Sequence, residues 1–324
     1  MDFIENLQKA SKIHNNIKNK LTNSFIENNS IYNIANFIES EIEIENNNTN
    51  QLNNGIAFPV GISIDNIVAH YTPSKKDKDF FISKDSILKI DYGVHNDGYI
   101  IDSAFSINLD DSHKSICYAS KDAIENVIKN IGVETKFQEL SSIIEEVVKS
   151  YEYEYKGILK PVKIIDNVYG HNIKPYSIHG GKFLYPTIHK DDNQIVEENE
   201  IMAIEVFTSN GFGKTKLDDN LQNYSHYKLK NEFLDRNIPL FPIKKLNLIG
   251  DLIKETFGSL PFCPKFINKI KNDINVTNTN MQSLFNFNIV ESYPPLLEYD
   301  KNSKTAQYEH TICVTNNGVI DFNE

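Results

Sequence analysis

The stretch LKIDYGVHNDGYIIDSAF, residues 88–105, decides the reading of this chain. Two mostly apolar runs flank His95-Asn96-Asp97-Gly98, and an Asp-Gly pair between such runs is a strong hairpin signal. Asp91 and Asp102 each interrupt an apolar strand, which is costly unless the carboxylate has a partner. If the turn is centred between Asn96 and Asp97, the two aspartates lie directly opposite and share a face. A single bulge at Gly98 shifts the register by one and turns Asp102 away. The expectation is direct opposition, or a second compensating bulge. Taken alone, an exposed sheet face explains the pair equally well.

Three further residues extend the pattern. His171 stands in NVYGHNIKPYSIHGG (167–181), Glu205 in IMAIEVF (201–207) and Glu309 in TAQYEHTICV (305–314). An ionised Glu between Ile204 and Val206 needs a metal, a cation or solvent on one face. A lone strand histidine is more often a hydrogen-bonded structural residue than a ligand. Gly170 and Gly180-Gly181, however, allow close backbone approach beside His171. Four carboxylates and one imidazole form a hard, oxygen-rich donor set suited to two divalent ions. Such ions turn water into a nucleophile at neutral pH, which points to a hydrolase.

The bulk numbers are compatible with this. The chain has 324 residues, 40% hydrophobic and 24% charged, an ordinary balance for a soluble protein of one large α/β unit or two domains. A formal charge of −11 argues against non-specific binding to nucleic acid or anionic membrane. Cys117, Cys263 and Cys313 show no C-x-x-C spacing and read as reduced thiols of a cytosolic protein. The N-terminus lacks the apolar core of a signal peptide, and no run approaches the ~18 apolar residues of a membrane span. A cytoplasmic protein is expected.

Helical spacing covers about 3–21, 30–44, 112–131 and 137–155, with Ser112 as a helix cap. Short strands are expected around 167–173 and 201–209. After Gly213, NYSHYKLKNEFLDRNIP (223–239) and the segment 243–273 read as mainly helical, so about 220–285 forms an insert. AQYEHTICVTNNGVIDF (306–322) closes the chain as a hairpin turning at Asn316-Asn317-Gly318.

AFPVGISIDNIVAHYTP (57–73), LKIDYGVHNDGYIIDSAF, GHNIKPYSIHGGK (170–182), AIEVF (203–207) and AQYEHTI (306–312) resemble, in order, the successive signatures of methionine aminopeptidases. SHY at 225–227, FGSLPFC at 257–263 and YPPL at 293–296 resemble the insert and flanks of type 2 enzymes. The resemblance covers nearly all of the chain beyond residue 50. It implies an α/β pita-bread (creatinase/aminopeptidase) fold: a pseudo-two-fold, curved antiparallel sheet flanked by helices. On this reading residues 1–55 are an N-terminal helical segment and 56–324 the catalytic domain. Asp91, Asp102, His171, Glu205 and Glu309 would hold two divalent ions, any of Co, Mn, Zn or Fe. Asp102 and Glu309 would bridge both ions, Asp91 would hold one, and His171 with Glu205 the other.

The resemblance also implies a reaction. A metal-bridging hydroxide would attack the first peptide carbonyl while one metal binds the free α-amine. Glu205 would carry the proton to the leaving amine, and His70 and His179 would hydrogen-bond the carbonyl oxygen. His70, Phe58, Ile178, His179, Phe207, His226 and Tyr293 would line the substrate site, where an unbranched thioether suits aromatic and aliphatic walls. The implied substrates are nascent proteins and peptides with N-terminal methionine and a small second residue. A monomer, transient ribosome association and reaction of fumagillin-type epoxides at His70 are also implied. No membrane or specific nucleic-acid partner is expected.

This chain departs from the family pattern in lacking a long charged N-terminal extension. It also carries Pro261 where Ala is common, Val206 for Thr or Pro, and Lys174-Pro175 for Gly-Gln. These bear on specificity and inhibitor response and leave the five ligands intact. Two rivals remain at this point: an X-Pro peptidase of the same fold, and a catalytically silent, ribosome- or RNA-associated relative. The first usually carries an extra N-terminal domain, for which residues 1–55 are too few. The second loses ligands and gains basic tails.

Overall fold

The computed structural model describes residues 3–47, 50–218, 225–239, 241, 243–271 and 274–323. The chain begins with α1 (Phe3–Lys20), the short α2 (Asn23–Glu27) and α3 (Ile31–Glu45). In α1, Leu7, Ala10, His14 and Ile17 fall on one stripe and are buried. In α3, Ile31, Ile34, Ala35, Ile38 and Ile42 do the same, and Ser30 caps the helix by accepting from Asn33 N–H at 3.3 Å. These stripes cover β1 (Asn54–Ile64) and β3 (Ile87–Asn96); the short β2 (Ile67–Ala69) lies between those strands in sequence.

β3 continues into β4 (Tyr99–Asn108) through a two-residue turn. Asn96 pairs with Tyr99, leaving Asp97 at φ +51° and Gly98 at φ +80°. A tight turn whose twist matches the flanking strands requires positive φ at both central positions, which Asp-Gly supplies. The register therefore differs from direct opposition of the aspartates. Asp91 faces Ala104, and Asp102 faces Gly93. The slip is two residues rather than one, so the alternation of faces is preserved and both carboxylates point the same way.

Next come α4 (Lys114–Asn130) and α5 (Phe137–Lys149), then β5 (Glu152–Tyr155), β6 (Ile158–Pro161), β7 (Lys163–Ile164), β8 (Gly170–Ile173) and β9 (Phe183–Leu184). Two details correct the sequence reading. Ser112 does not cap α4; His113 is the cap residue, without a side-chain bond, and Ser112 N–H donates to Asp110. The helical spacing of 137–155 stops at Lys149, and Glu152–Tyr155 instead forms a hairpin with β6.

β10 (Glu200–Ser209) and β11 (Thr215–Leu217) precede the insert. There β12 (His226–Leu229) is a strand rather than the expected helix, and α6 (Lys244–Phe257), α7 (Pro264–Ile270) and α8 (Asn278–Asn286) follow. Residues 219–224 of the expected helical insert lie outside the described residues. β13 (Val290–Tyr293) pairs antiparallel with β12, and β14 (Leu296–Glu298), β15 (Thr305–Thr315) and β16 (Gly318–Asp321) finish the chain. The insert shares the α1–α3 core, and Lys265 and Lys269 of α7 pair with Glu39 and Glu43 of α3 at 2.6 and 2.5 Å.

The main sheet is antiparallel, in the order β1-β3-β4-β15-β10-β8-β9, with β16 on β15 and β7 on β10. α1 and α3 back one half; α4 and α5 back the other through Met202, Ile204, Val206, Ile312 and Val314. The opposite face is left to the cleft. All three cysteines are buried and free. Among the described residues, no helix is long and apolar enough to cross a membrane.

Candidate metal centre

Five adjacent strands each place one candidate ligand on the cleft face. In sheet order they are Asp91 on β3, Asp102 on β4, Glu309 on β15, Glu205 on β10 and His171 on β8. Glu205 pairs with Glu309, Glu309 with Ala104, and Ala104 with Asp91, forming one row across four strands. The next row holds His171 beside Ala203, Ala203 beside Thr311, and Asp102 opposite Gly93. Thr311 joins the two parts of this second row, since its hydroxyl accepts from Asp102 N–H (2.7 Å) and donates to Asp102 C=O (2.6 Å). Gly170 fits this spacing tightly. A Cβ there would stand 2.9 Å from Ala203 O, so no larger residue brings β8 this close to β10.

The ligands converge. Asp102, His171 and Glu309 offer atoms that all lie within 4.8 Å of one another, and His171 Nε2 is 3.7 Å from Asp102 Oδ2. Asp91 and Glu205 flank this triplet and line the same open cleft of about 670 Å³. Gln307, two residues before Glu309 and on the same face, donates its Nε2 to Asp91 Oδ2 at 3.2 Å and to Glu309 Oε2 at 3.5 Å.

Crowding four carboxyls in a buried site raises the cost of charge. Burial pushes Asp91 up to about 7. Burial, and then the charge of Asp91, holds Asp102 well above the usual carboxylate range. Glu205 and Glu309 are raised by burial and then by their acidic neighbours. Burial lowers His171 to about 3, with His179 adding to the effect. Asp91 Oδ1 is buried without a hydrogen-bond partner. A set of buried, mutually repelling oxygens beside a neutral imidazole, with one oxygen unpartnered, is what hard divalent cations would satisfy. The residues fit such ions.

The walls carry most of the other expected residues. Phe58, His70, Ile178, His179, His226 and Tyr293 all line the cleft. The His179 ring meets His171 edge-on at 4.5 Å, and His70 lies 5.8 Å from His226 and 6.3 Å from Tyr293. Burial lowers His70, His179 (to about 4) and His226, so all three imidazoles are neutral at pH 7. Phe207 is the exception. It packs with Val68, Ala69 and Ile165 in a small core behind His70 and does not line the cleft. Lys228, Ser259 and Pro261 line it instead; of these, only Pro261 stood out in the sequence. Gln307 was readable from the two-residue period before Glu309, while nothing marked Lys228 or Ser259.

Residues 5–316 match the model of metallopeptidase family M24. The chain belongs to that family, has its pita-bread fold, and is a metallopeptidase of a class that uses divalent metal. Within the family it is similar to proteins named methionine aminopeptidase 2. That of Debaryomyces hansenii is 35% identical over 310 residues, covering 96% of this chain and 71% of the relative. That of Candida dubliniensis is 36% identical over 312 residues, covering 96% and 67%. Among solved structures, a thermophilic Arx1 superposes with a TM-score of 0.80 at 17% identity, covering 99% of this chain and 90% of that one. A methionine aminopeptidase from Thermotoga maritima gives 0.64 at 15%, covering 99% and 96%. At these identities the two structures speak for the fold alone.

Proposed function

We propose that this chain removes N-terminal methionine from peptides and nascent proteins whose second residue is small. The observation that carries the reading is the strand order of the ligands. Asp102 and Glu309 come from the paired inner strands β4 and β15 and offer atoms within 4.8 Å of each other and of His171. Asp91 stands on one flank, Glu205 and His171 on the other. That order supports divalent metal that Asp91, Asp102, His171, Glu205 and Glu309 would hold between them. What bound ions would supply is a water made nucleophilic at neutral pH and a Lewis acid for the scissile carbonyl.

The protein groups would do the rest. Glu205, which lines the cleft beside the other candidate ligands, would move a proton from the attacking water toward the leaving amine. His70 and His179, held neutral by burial, each keep one N–H to donate to the carbonyl oxygen as charge develops. Phe58, Ile178 and Tyr293 offer the apolar walls that a flexible thioether fills well. The methionine aminopeptidase 2 relatives favour this substrate over the X-Pro alternative.

The test is direct. Protein stripped of metal should release no methionine from Met-Ala-Ser and should regain release on addition of Mn²⁺ or Co²⁺. No recovery with any divalent ion, or cleavage of X-Pro peptides instead, overturns the reading.

A further inference from the structure

We infer that Thr72 is a positioning residue that, through His226 of β12, holds the His70 imidazole toward the cleft. The inference rests on reading His70 as a group that meets the substrate.

His70 adopts φ +65° and is the cleft-lining residue that stands in the left-handed region. For a non-glycine residue this costs free energy and persists only where the surroundings over-determine it. The backbone on both sides is tied down. Ala69 pairs with Leu296 of β14, and Tyr71 C=O accepts from Ile62 N–H at 2.7 Å.

The side chain has no such tie through one nitrogen, since His70 Nδ1 is buried with no hydrogen-bond partner. The ring is held instead by the Pro294 carbonyl, which accepts a hydrogen bond from it, and by packing against His226 and the edge of Tyr293. His226 is itself oriented by a hydrogen bond between its Nε2 and the Thr72 hydroxyl, and both residues are buried. Thr72 lies two residues beyond His70, so a short circuit closes: backbone from His70 to Thr72, hydroxyl to His226, ring back to His70. Thr72 does not line the cleft, so its effect on turnover runs through the two histidines. The same circuit makes the insert part of the catalytic wall, because β12 supplies the ring that steadies the loop after β2.

Thr72→Val keeps the shape and removes the hydroxyl; Thr72→Ser keeps the hydroxyl. In the metal-reconstituted protein, kcat for methionine release should fall about 10-fold or more in Thr72→Val, the range seen when an orienting partner is lost. KM should move much less, metal content should not change, and Thr72→Ser should restore kcat. The double variant Thr72→Val/His226→Ala should be no slower than His226→Ala, because both act through one contact.

A second readout needs no substrate. Carbethoxylation of His70 by diethyl pyrocarbonate, mapped by mass spectrometry, should speed up several-fold in Thr72→Val and return to the wild-type rate in Thr72→Ser. Should Thr72→Val not fold, Thr72→Ala carries the same comparison. Wild-type kcat and wild-type labelling in Thr72→Val, equal impairment in Thr72→Ser, or additive loss in the double variant overturns the inference. If the wild-type protein releases no methionine yet labelling follows the expected pattern, the substrate reading fails and the positioning role stands.

Discussion

The two faces of the central sheet bury ionisable groups with opposite outcomes. On the cleft face, Asp91, Asp102, Glu205 and Glu309 come from neighbouring strands; burial holds each above its ordinary range, and for all but Asp91 the acidic neighbours add to it. On the helix-backed face, His14 of α1 stacks on Tyr92 at 4.1 Å, and burial drives it down to about 3. The first arrangement is a debt of negative charge that cations would cancel. The second is a polar group kept neutral so that a core can close over it. Adjacent residues of β3, Asp91 and Tyr92, belong to these two regimes because side chains alternate along a strand. Substitutions on the cleft face should therefore cost function while sparing or raising metal-free stability. Those on the back face should change stability and leave the chemistry alone.

The sharpest break comes from Glu309→Gln. If Glu309 holds metal as proposed, its loss should abolish methionine release and lower the bound metal per chain below that of the wild type, read by elemental analysis after dialysis. Because one of four mutually repelling carboxyls is gone, the metal-free variant should melt above the metal-free wild type at pH 8. A lower melting temperature without metal would show that the cluster is not under the like-charge repulsion argued for it. His70→Ala comes next. Loss of a donor to the developing oxyanion should lower kcat by about 10²–10³-fold with metal content unchanged. Single-turnover rates on Met-Ala-Ser would check it, and a loss confined to KM would remove His70 from the chemistry.

Gln307→Met probes the cleft face more gently. Its amide spans Asp91 and Glu309, and losing it should weaken metal binding by about 10–100-fold, measured by titration calorimetry. Full-affinity binding would mean the two carboxylates are placed by the sheet alone.

How much of this was legible follows the same division. A carboxylate inside an apolar strand breaks the local pattern, so the four acidic candidate ligands could be picked out together before any geometry was known. Period two then carried Asp91 and Asp102 to one face even though the turn was misplaced, because Asp97-Gly98 rather than Asn96-Asp97 makes the turn and the slip is even. The walls broke no pattern. Gln307 was passed over although it shares the period-two face of Glu309, and the left-handed backbone of His70 leaves no trace in Ala-His-Tyr-Thr-Pro. For His70, His179 and His226 the family resemblance identified what spacing could not. β12 was misread because its short Tyr227–Leu229 alternation sits among helical neighbours. Phe207 was expected in the cleft because the family resemblance implied it; two residues beyond Glu205 along β10, it packs in the core with Ala69.

The smallest expected effect on activity, and the clearest for the back face, belongs to His14. Its folded pKa of about 3 lies below the unfolded value of about 6.5, so the unfolded chain binds the extra proton in the window between them. The stability His14 permits is whole above pH 6.5 and is lost as pH falls toward 3, at about 1.4 kcal/mol per unit once the unfolded histidine is fully charged. His14→Phe keeps a ring on Tyr92 and has nothing to protonate. Its melting temperature should therefore decline less steeply than the wild type's between pH 6.5 and 4, while methionine release at pH 7.5 stays the same. It should also gain slightly at neutral pH, since His14 Nε2 is buried without a partner and the phenyl ring leaves no such atom unsatisfied. Parallel acid slopes would mean that α1 opens before the core does, exposing His14 to water in the folded protein. A drop in activity at pH 7.5 would mean that the two faces are coupled through β3, and the separation drawn between them would fail.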